Sequence, residues 1–359
     1  MSDINKTSLY KSHVELNAKI VEFAGYLMPI QYNNGIQNEY MSVRNDVGLF
    51  DVSHMGVFSV EGPDSDEFLN RILSNNILKL ENGKAMYTLL CNTKGGVIDD
   101  LIIYKIDNKF ILIVNASNKD KDLKWINNNN NNKKIEINDI SDNTSLVAIQ
   151  GPKSKVEIEK ILNIKLDLDF YSCQSIKSEY GNIFIARTGY TGELGFEILG
   201  DSDTINNVWN KMISNKINPI GLAVRDILRI EMGYCLYGHE IDEHINPLDA
   251  GLGWVINSNT SFIGCTEINN IENQKNQLIF FKTLERGIPR QGFDIYIDNQ
   301  KSGYVTSGTF SYSMKCGVGI GFINRDIKKY DDAFLLVRNK KIHIDINTKP
   351  FMSNTSLRK

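Results

Sequence analysis

EGPDSDEFLNRIL, residues Glu61–Leu73, recurs later in the chain as QGPKSKVEIEKIL, residues Gln150–Leu162. Gly, Pro and Ser stand at matching places, and each copy ends in a basic residue followed by Ile-Leu. Proline near a first turn, a serine in the capping region and apolar residues at helical spacing predict a helix in both copies. A β-like stretch, MGVFSV or SLVAI, precedes each copy. The recurrence is either chance or the mark of two related strand–Gly-Pro–helix units.

The chain that follows each copy is also similar. AMYTLLCNTKGGVIDDLIIYK comes after the first and NIFIARTGYTGELGFEILG after the second, and both predict a strand, a Gly-rich turn and a strand. Apolar residues three or four apart predict helices over Asn115–Ile126, Asp201–Ser214 and Gly221–Tyr234. After about Asn270 the pattern changes to short β-like segments separated by turns, which is typical of a small barrel or jelly roll.

Composition places the chain among soluble globular proteins. It has 359 residues, 42% of them apolar and 23% charged, with a net charge of −3 that gives no indication of a nucleic-acid partner. No apolar run approaches the roughly 18 residues of a membrane span, and the N-terminal MSDINKTSLYKSH has no signal or transit pattern. Five scattered cysteines without a CxxC motif indicate reduced thiols and a cytoplasmic enzyme.

The common catalytic and metal motifs are missing from the sequence. Gly83-Lys84 lacks the rest of a phosphate loop, and no G-x-S-x-G is present. His239 and His244 are five residues apart, which on a helix separates their side chains by about 140°. We therefore expect no metal site, and we expect the reactive chemistry to come from a bound cofactor.

Two Gly-rich hairpins each deliver acids to the start of a strand. The first, KGGVIDDLIIYK, carries Asp99 and Asp100, and the second, GYTGELGFEI, carries Glu193 and Glu197. Aromatic residues stand close by in the sequence: Tyr87, Tyr190, Phe196 and Trp254. Inward carboxylates with aromatic neighbours suit a flat, nitrogen-rich ligand, because a carboxylate can accept two parallel hydrogen bonds from an amino-pyrimidinone edge.

Strand alternation predicts which acids point inward. Glu197 should point away from its two apolar neighbours, and Asp100 should share a face with Ile102 and Tyr104. Asp99 is then expected to face solvent or the hairpin, so that Asp99→Asn would be mild. The alternative to a ligand site is that the inward acids simply pair with an arginine of the 221–234 helix.

Five motifs resemble the glycine cleavage system T-protein family of tetrahydrofolate-dependent aminomethyltransferases. They are FDVSHMG, GGVIDDLIIY, RTGYTGELGFEI, GLAVRDILRIEMGYCLYGHEID and INPLDAGLGW, and the likeness runs from Leu9 to about Phe351. The resemblance implies an α+β cloverleaf in which two related α+β units bind folate between them and a C-terminal β-barrel closes over the site. We therefore expect a folate-binding region over 1–265, a barrel over 275–359, and unit bounds of about 1–145 and 146–265 with chain exchange between the units.

The same resemblance assigns site residues. The family's key Asp, which lies near folate N10 and is needed for the chemistry, falls on Asp100. The Glu that grips the pterin falls on Glu197, and the Arg beside it falls on Arg225. Further ligand-lining positions are expected at Met55, Tyr87, Ile113, Asn115, Tyr190, Trp254 and Arg290. One departure is visible: TKPFMSNTSLRK lacks the aromatic pair that some relatives carry near the C-terminus, so no folate contact is carried over to it.

The implied reaction releases ammonia from the aminomethyl-dihydrolipoyl arm of H-protein and passes the methylene to tetrahydrofolate, giving 5,10-methylenetetrahydrofolate in glycine catabolism. Tetrahydrofolate is then a co-substrate, lipoylated H-protein is the partner, no metal, nucleic acid or membrane is implied, and the bacterial cytoplasm is the expected location. One alternative is a tetrahydrofolate-dependent demethylase of a small methylated substrate on the same scaffold. Another is a folate-binding protein of iron–sulfur assembly, whose Lys-Gly-Cys signature is missing here. A structural paralogue is disfavoured by the intact set of acids and aromatic residues.

Overall fold

The computed structural model describes residues 4–257, 259 and 261–357. The helices over those residues are α1 Tyr10–Glu15, α2 Gly35–Asn45, α3 Ser65–Ile72, α4 Lys119–Asn128, α5 Ser154–Leu162, α6 Ser202–Ser214, α7 Leu222–Met232 and α8 Cys265–Asn269. The predicted helices at 115–126, 201–214 and 221–234 correspond to α4, α6 and α7. Helix α4 begins later than predicted because Ala116–Asn118 forms a 3-10 turn.

The strands alternate with these helices in the first two thirds of the chain and then follow one another. They are β1 Asn5–Lys6, β2 Lys19–Phe23, β3 Tyr26–Gln31, β4 Gly48–Asp51, β5 Gly56–Glu61, β6 Lys84–Cys91, β7 Val97–Ile106, β8 Lys109–Val114, β9 Glu136–Asp139, β10 Thr144–Gln150, β11 Cys173–Ser178, β12 Gly181–Ala186, β13 Gly195–Asp201, β14 Asn218–Pro219, β15 Asn276–Thr283, β16 Asp294–Ile297, β17 Gln300–Ser311, β18 Cys316–Asn324, β19 Ala333–Val337 and β20 Lys340–Asn347. The predicted α+β class with a C-terminal β-barrel is confirmed by this order and by the sheet pairing described below.

The described residues form two compact units. Unit 1 comprises 4–88, 100–225 and 355–357, and unit 2 comprises 89–99 and 226–354 without 258 and 260. The domain boundaries predicted near residues 145, 265 and 275 stay predictions.

Two of the sheets share the same inner order. One runs β6-β7-β8-β5-β9 and the other runs β11-β12-β13-β10-β4-β14. In each, the strand before the Gly-Pro turn, β5 or β10, pairs antiparallel with the last strand of the hairpin set, β8 or β13. Helix α3 then follows β5, and α5 follows β10. The sequence recurrence therefore has a structural counterpart that extends beyond the recurring residues themselves.

Each Gly-Pro turn depends on its glycine for the same two reasons. The φ angle is +121° at Gly62 and +137° at Gly151, a region that L-residues rarely adopt. A Cβ at Gly62 would overlap the carbonyl oxygen of Lys134, and a Cβ at Gly151 would overlap that of Asp46. Any side chain at either glycine would therefore displace the neighbouring backbone.

The core of unit 1 packs one face of the six-stranded sheet against α5 and α6. Phe196 and Ile198 of β13 and Trp209 of α6 are buried in this cluster. Helix α6 begins where the Asp201 carboxylate accepts the backbone N–H of Thr204 at 2.9 Å. Because alternate residues of β13 enter the core, the residue between Phe196 and Ile198 is left on the opposite face.

Unit 2 contains a closed barrel with the strand order β15-β18-β17-β16-β19-β20. Apolar side chains from β15, β16, β17, β18, β19 and β20 fill its interior, with Phe281 and Ile295 fully buried. A buried ion pair lies against β17: Arg229 Nη1 is 3.0 Å from Glu240 Oε2, and Arg229 Nη2 donates to Ser307 Oγ at 2.6 Å. Thr306 donates to the other Glu240 oxygen at 2.5 Å. The two buried charges therefore compensate each other, which avoids leaving either charge buried without a counter-charge.

Across the described ranges, no helix has the length and apolar character needed to cross a membrane. Among the same residues, no group of three or more His, Cys, Asp or Glu side chains is placed to hold a metal ion.

Candidate functional site

Asp100 lies half-buried on β7 and is held by donors from both sides of its strand. Its Oδ2 accepts the hydroxyl of Tyr87, on β6, at 2.9 Å. Its Oδ1 accepts Asn115 Nδ2, just after β8, at 2.8 Å, and the same amide donates to the Asp100 carbonyl at 3.2 Å. The two donors therefore fix the orientation of the Asp100 carboxylate.

Asp99 is 0% exposed, so the expectation that it faces solvent is wrong, while the alternative that it faces the hairpin stays a prediction. A second segment covers this end of β7. The backbone N–H of Val97 donates to the Asp242 carbonyl at 2.8 Å, and a Cβ at Gly96 would overlap the Glu243 carbonyl oxygen. Strand alternation places neighbouring side chains on opposite faces, but it cannot tell that both faces are covered. Asp99→Asn is accordingly no longer expected to be mild.

Glu197 lies half-buried on β13, on the face opposite Phe196 and Ile198, as alternation predicts. Its Oε2 accepts the Thr188 hydroxyl at 2.5 Å and the Tyr104 hydroxyl at 3.4 Å. Over the described residues, its Oε1 accepts no hydrogen bond from the protein. Burial, with a contribution from the Glu197 charge, raises the pKa of Tyr104 well above its usual value. Tyr104 therefore stays a neutral donor to Glu197.

Tyr104 also connects the two acids through one strand. It lies four residues after Asp100 on β7, so the two side chains share a face. The strand that presents Asp100 thus supplies a hydroxyl to Glu197, which is on the other sheet. One strand therefore carries Asp100 and also a donor to Glu197, while the hydrogen-bond donors described for the two acids are different groups.

Arg225 stacks on the aromatic ring of Tyr190, two residues after Thr188. Its guanidinium carbon is 4.7 Å from the centre of the Tyr190 ring, within cation–π range. Burial lowers the pKa of Arg225, and the nearby Tyr190 and Glu197 oppose that effect. Arg225 and Glu197 therefore attract each other, but the hydrogen bonds that orient Glu197 come from Thr188 and Tyr104.

The loop that carries Tyr190 and Thr188 has no regular secondary structure and is fixed by side chains. Gln150, buried at the end of β10, donates to the Thr188 carbonyl at 3.1 Å and accepts the Thr191 hydroxyl at 2.8 Å. A Cβ at Gly189 or Gly195 would overlap the Gln150 side chain. Gly189 and Gly195 are therefore required by the Gln150 amide that lies against them.

His54 lies next to the predicted ligand residue Met55 and is 3% exposed. Its Nδ1 has no hydrogen-bond partner among the described residues, and its ring meets that of Phe23 edge to face at 5.6 Å. Burial lowers the pKa of His54 to about 4; the Asp51 charge opposes this, and the Arg225 charge adds to it. His54 is therefore neutral at pH 7.

The remaining predicted ligand residues are spread over both units. Met55, between β4 and β5, and Ile113, in β8, are half-buried in unit 1. Trp254 and Arg290 belong to unit 2, where Trp254 is 68% exposed and Arg290 donates to the Gly308 carbonyl at 3.5 Å. A ligand-binding role for these four residues stays a prediction.

Sequence reasoning did not identify Thr188 and Tyr104 as site residues. The signal for Tyr104 was available, because alternation places it on the face of Asp100. The signal for Thr188 was not, since its contact depends on the register that pairs Ala186 of β12 with Glu197 of β13. Two acids were therefore predicted without the hydroxyls that orient one of them.

Two sequence profiles match nearly the whole chain. The profile of the GCVT N-terminal domain matches residues 9–260, and that of the glycine cleavage T-protein C-terminal barrel domain matches residues 276–352.

Curated relatives of similar length carry one name. An aminomethyltransferase from Halothermothrix orenii is 41% identical and is aligned over 97% of this chain and 100% of its own length. One from Thermotoga neapolitana is 37% identical, with 97% of this chain and 98% of its own length aligned. A solved structure, glycine cleavage system aminomethyltransferase T from Bartonella henselae, superposes with a TM-score of 0.91 at 29% identity, over 99% of each chain.

Proposed function

The chain belongs to the glycine cleavage T-protein family, and on that premise we propose a specific aminomethyl transfer for it. It releases ammonia from the aminomethyl-dihydrolipoyl arm of H-protein and transfers the methylene to tetrahydrofolate, giving 5,10-methylenetetrahydrofolate and a dihydrolipoyl arm. It does so in the bacterial cytoplasm, without a metal. The observation that carries the proposal is the pair of half-buried acids, Asp100 and Glu197, oriented by neutral donors and linked through β7.

The environment of Glu197 suits the N–H edge of a pterin. Its Oε1 is open to one donor, and the Tyr104 contact to Oε2, at 3.4 Å, is long enough to give way to a second. Two parallel hydrogen bonds to one carboxylate would fix the plane of the ring. Tyr190 and Arg225, stacked beside Glu197, would border that plane.

Asp100 suits a reaction in which positive charge develops. The aminomethyl carbon is bonded to sulfur and nitrogen, so loss of ammonia leaves it cationic, and tetrahydrofolate supplies N5 as the nucleophile. Asp100 already accepts hydrogen bonds from Tyr87 and Asn115, which hold its carboxylate in one orientation. Its role is therefore to stabilise the developing charge and to position the folate, with proton transfer near N10 secondary to that.

The experiment is a matched pair of variants assayed with aminomethylated H-protein and tetrahydrofolate. Asp100→Asn should lower turnover by about 100-fold or more, with little change in folate affinity measured by calorimetry. Glu197→Ala should show the opposite pattern, with weakened folate binding as its main defect. Normal turnover in Asp100→Asn would overturn the role given to that residue.

The substrate assignment has its own test. The wild-type protein should release ammonia from aminomethylated H-protein and form 5,10-methylenetetrahydrofolate in equal amounts. A protein that bound folate but released no ammonia, and instead demethylated a small methylated amine, would replace this proposal with the demethylase alternative.

A further inference from the structure

Ser356 is buried in unit 1, although the residues before it, 226–354, belong to unit 2. Ser356 is 5% exposed, whereas Ser353, three residues earlier in the same segment, is exposed. Burial of a hydroxyl requires hydrogen-bond partners. The partners of Ser356 lie in the Gly-rich loop of the candidate site.

Glu193 is where Ser356 meets this loop. Its Oε2 accepts both the backbone N–H of Ser356, at 2.8 Å, and the Ser356 hydroxyl, at 2.5 Å. Its Oε1 is 2.8 Å from Arg44 Nη1, and both side chains are nearly buried, 5% and 7% exposed. The Ser356 oxygen in turn accepts the backbone N–H of Leu194 at 2.9 Å. Ser356 therefore holds the side chain of one loop residue and the backbone of the next.

The loop held in this way presents two site residues. Glu193 and Leu194 close the irregular stretch that contains Thr188, the donor to Glu197, and Tyr190, the ring under Arg225. The far side of the same stretch is bonded to Gln150. Since the loop has no backbone hydrogen-bond ladder of a sheet or helix, these hydrogen bonds to Ser356 and Gln150 determine its conformation.

We propose that Ser356 is a positioning residue for the ligand that Glu197 grips. It fixes Glu193 and Leu194, and through them the placement of Thr188 and Tyr190, without contacting the ligand itself. The inference rests on the proposed function, in that the ligand is taken to be a reduced folate.

The test compares Ser356→Ala with Ser353→Ala, using 5-formyltetrahydrofolate as a stable probe of binding. Ser356→Ala removes the hydroxyl bonds to Glu193 and Leu194 but keeps the backbone N–H bond. We expect the Kd of the probe and the KM for tetrahydrofolate to rise about five- to tenfold, with kcat within about twofold of wild type. Ser353→Ala should match wild type. Hydrogen exchange at the Leu194 amide, measured without ligand, should quicken in Ser356→Ala only.

The outcomes separate the inference from its premise. If the wild-type protein fails to bind the probe, the proposed function and this inference fall together. If the wild type binds and Ser356→Ala binds equally well, the positioning role alone is overturned, even where the melting temperature drops. A fall in kcat at unchanged Kd and KM would also overturn it, because misplacing the residues around Glu197 should weaken ligand binding.

Discussion

Replacing Thr188 with valine should weaken both the fold and the ligand site by a magnitude that the geometry sets. The side chain is 2% exposed, and its hydroxyl is 2.5 Å from Glu197 Oε2. Valine keeps the volume but removes the donor, leaving Glu197 with the Tyr104 hydroxyl at 3.4 Å. A hydrogen bond to a charged acceptor is worth about 1.5–3 kcal/mol. Glu197 is half-buried and can recruit water, so we expect the lower end of that range, about 1.5 kcal/mol.

Urea denaturation measures the loss of stability, and calorimetry with 5-formyltetrahydrofolate measures the loss of ligand affinity. If the hydrogen bond orients Glu197 for its ligand, about 1.4 kcal/mol should also appear as a tenfold rise in Kd. The matched control is Thr283→Val, a buried barrel threonine whose Oγ1 accepts the Gly317 N–H at 3.1 Å. It should cost stability and leave Kd unchanged. A Thr188→Val protein that is destabilised but binds normally would refute the argument that this hydroxyl sets the Glu197 orientation.

Two further predictions concern groups outside the Gly-rich loop. The pKa of His54 is lowered to about 4 in the folded protein from about 6.5 in the unfolded chain, so between these pH values the unfolded chain binds one more proton. The free energy of unfolding should therefore fall by about 3 kcal/mol as the pH drops from 6.5 to 4. In urea denaturation at a series of pH values, His54→Gln should show a smaller change over this range. An unchanged slope in the variant would show that other groups cause it. Glu240→Gln should cost about 3 kcal/mol, because it removes the buried counter-charge of Arg229, whose other described acidic partner, Asp226, is about half exposed. Arg229→Met combined with Glu240→Leu should recover most of that loss in thermal and urea denaturation. A double variant no more stable than the single one would contradict the explanation by an uncompensated charge.

The parts of the fold that the sequence predicts are those with local causes. The two Gly-Pro turns and the helices after them are predicted correctly because a glycine at positive φ and a helix start each depend on a few neighbouring residues. The direction of the Glu197 side chain is predicted correctly because its apolar neighbours Phe196 and Ile198 are buried in the core, which leaves Glu197 on the other face of the strand. The barrel is predicted as a class because six short apolar strands with turns have few other ways to protect their edges.

The parts that the sequence did not predict depend on segments far apart in the chain. Asp99 is fully buried next to the point where the segment at Asp242 contacts the start of β7, and the residues around Asp99 in the sequence do not predict that contact. Ser356 lies against Glu193 through two hydrogen bonds that join residues 163 positions apart. Such contacts follow from register and packing, which are settled only when the whole chain is folded.

The choice of partners explains why these two acids suit a site better than a structural ion pair. Of the arginines that could neutralise them, Arg229 pairs with Glu240 and Asp226, and Arg225 stacks on Tyr190 without a described hydrogen bond to Glu197. Hydroxyl and amide groups orient Asp100 and Glu197 instead. A neutral donor fixes the direction of a carboxylate without cancelling its charge, whereas a bidentate arginine would do both. Under the proposed function, this arrangement leaves the Glu197 carboxylate to accept the N–H groups of a ring and the Asp100 carboxylate to face a carbon that becomes cationic.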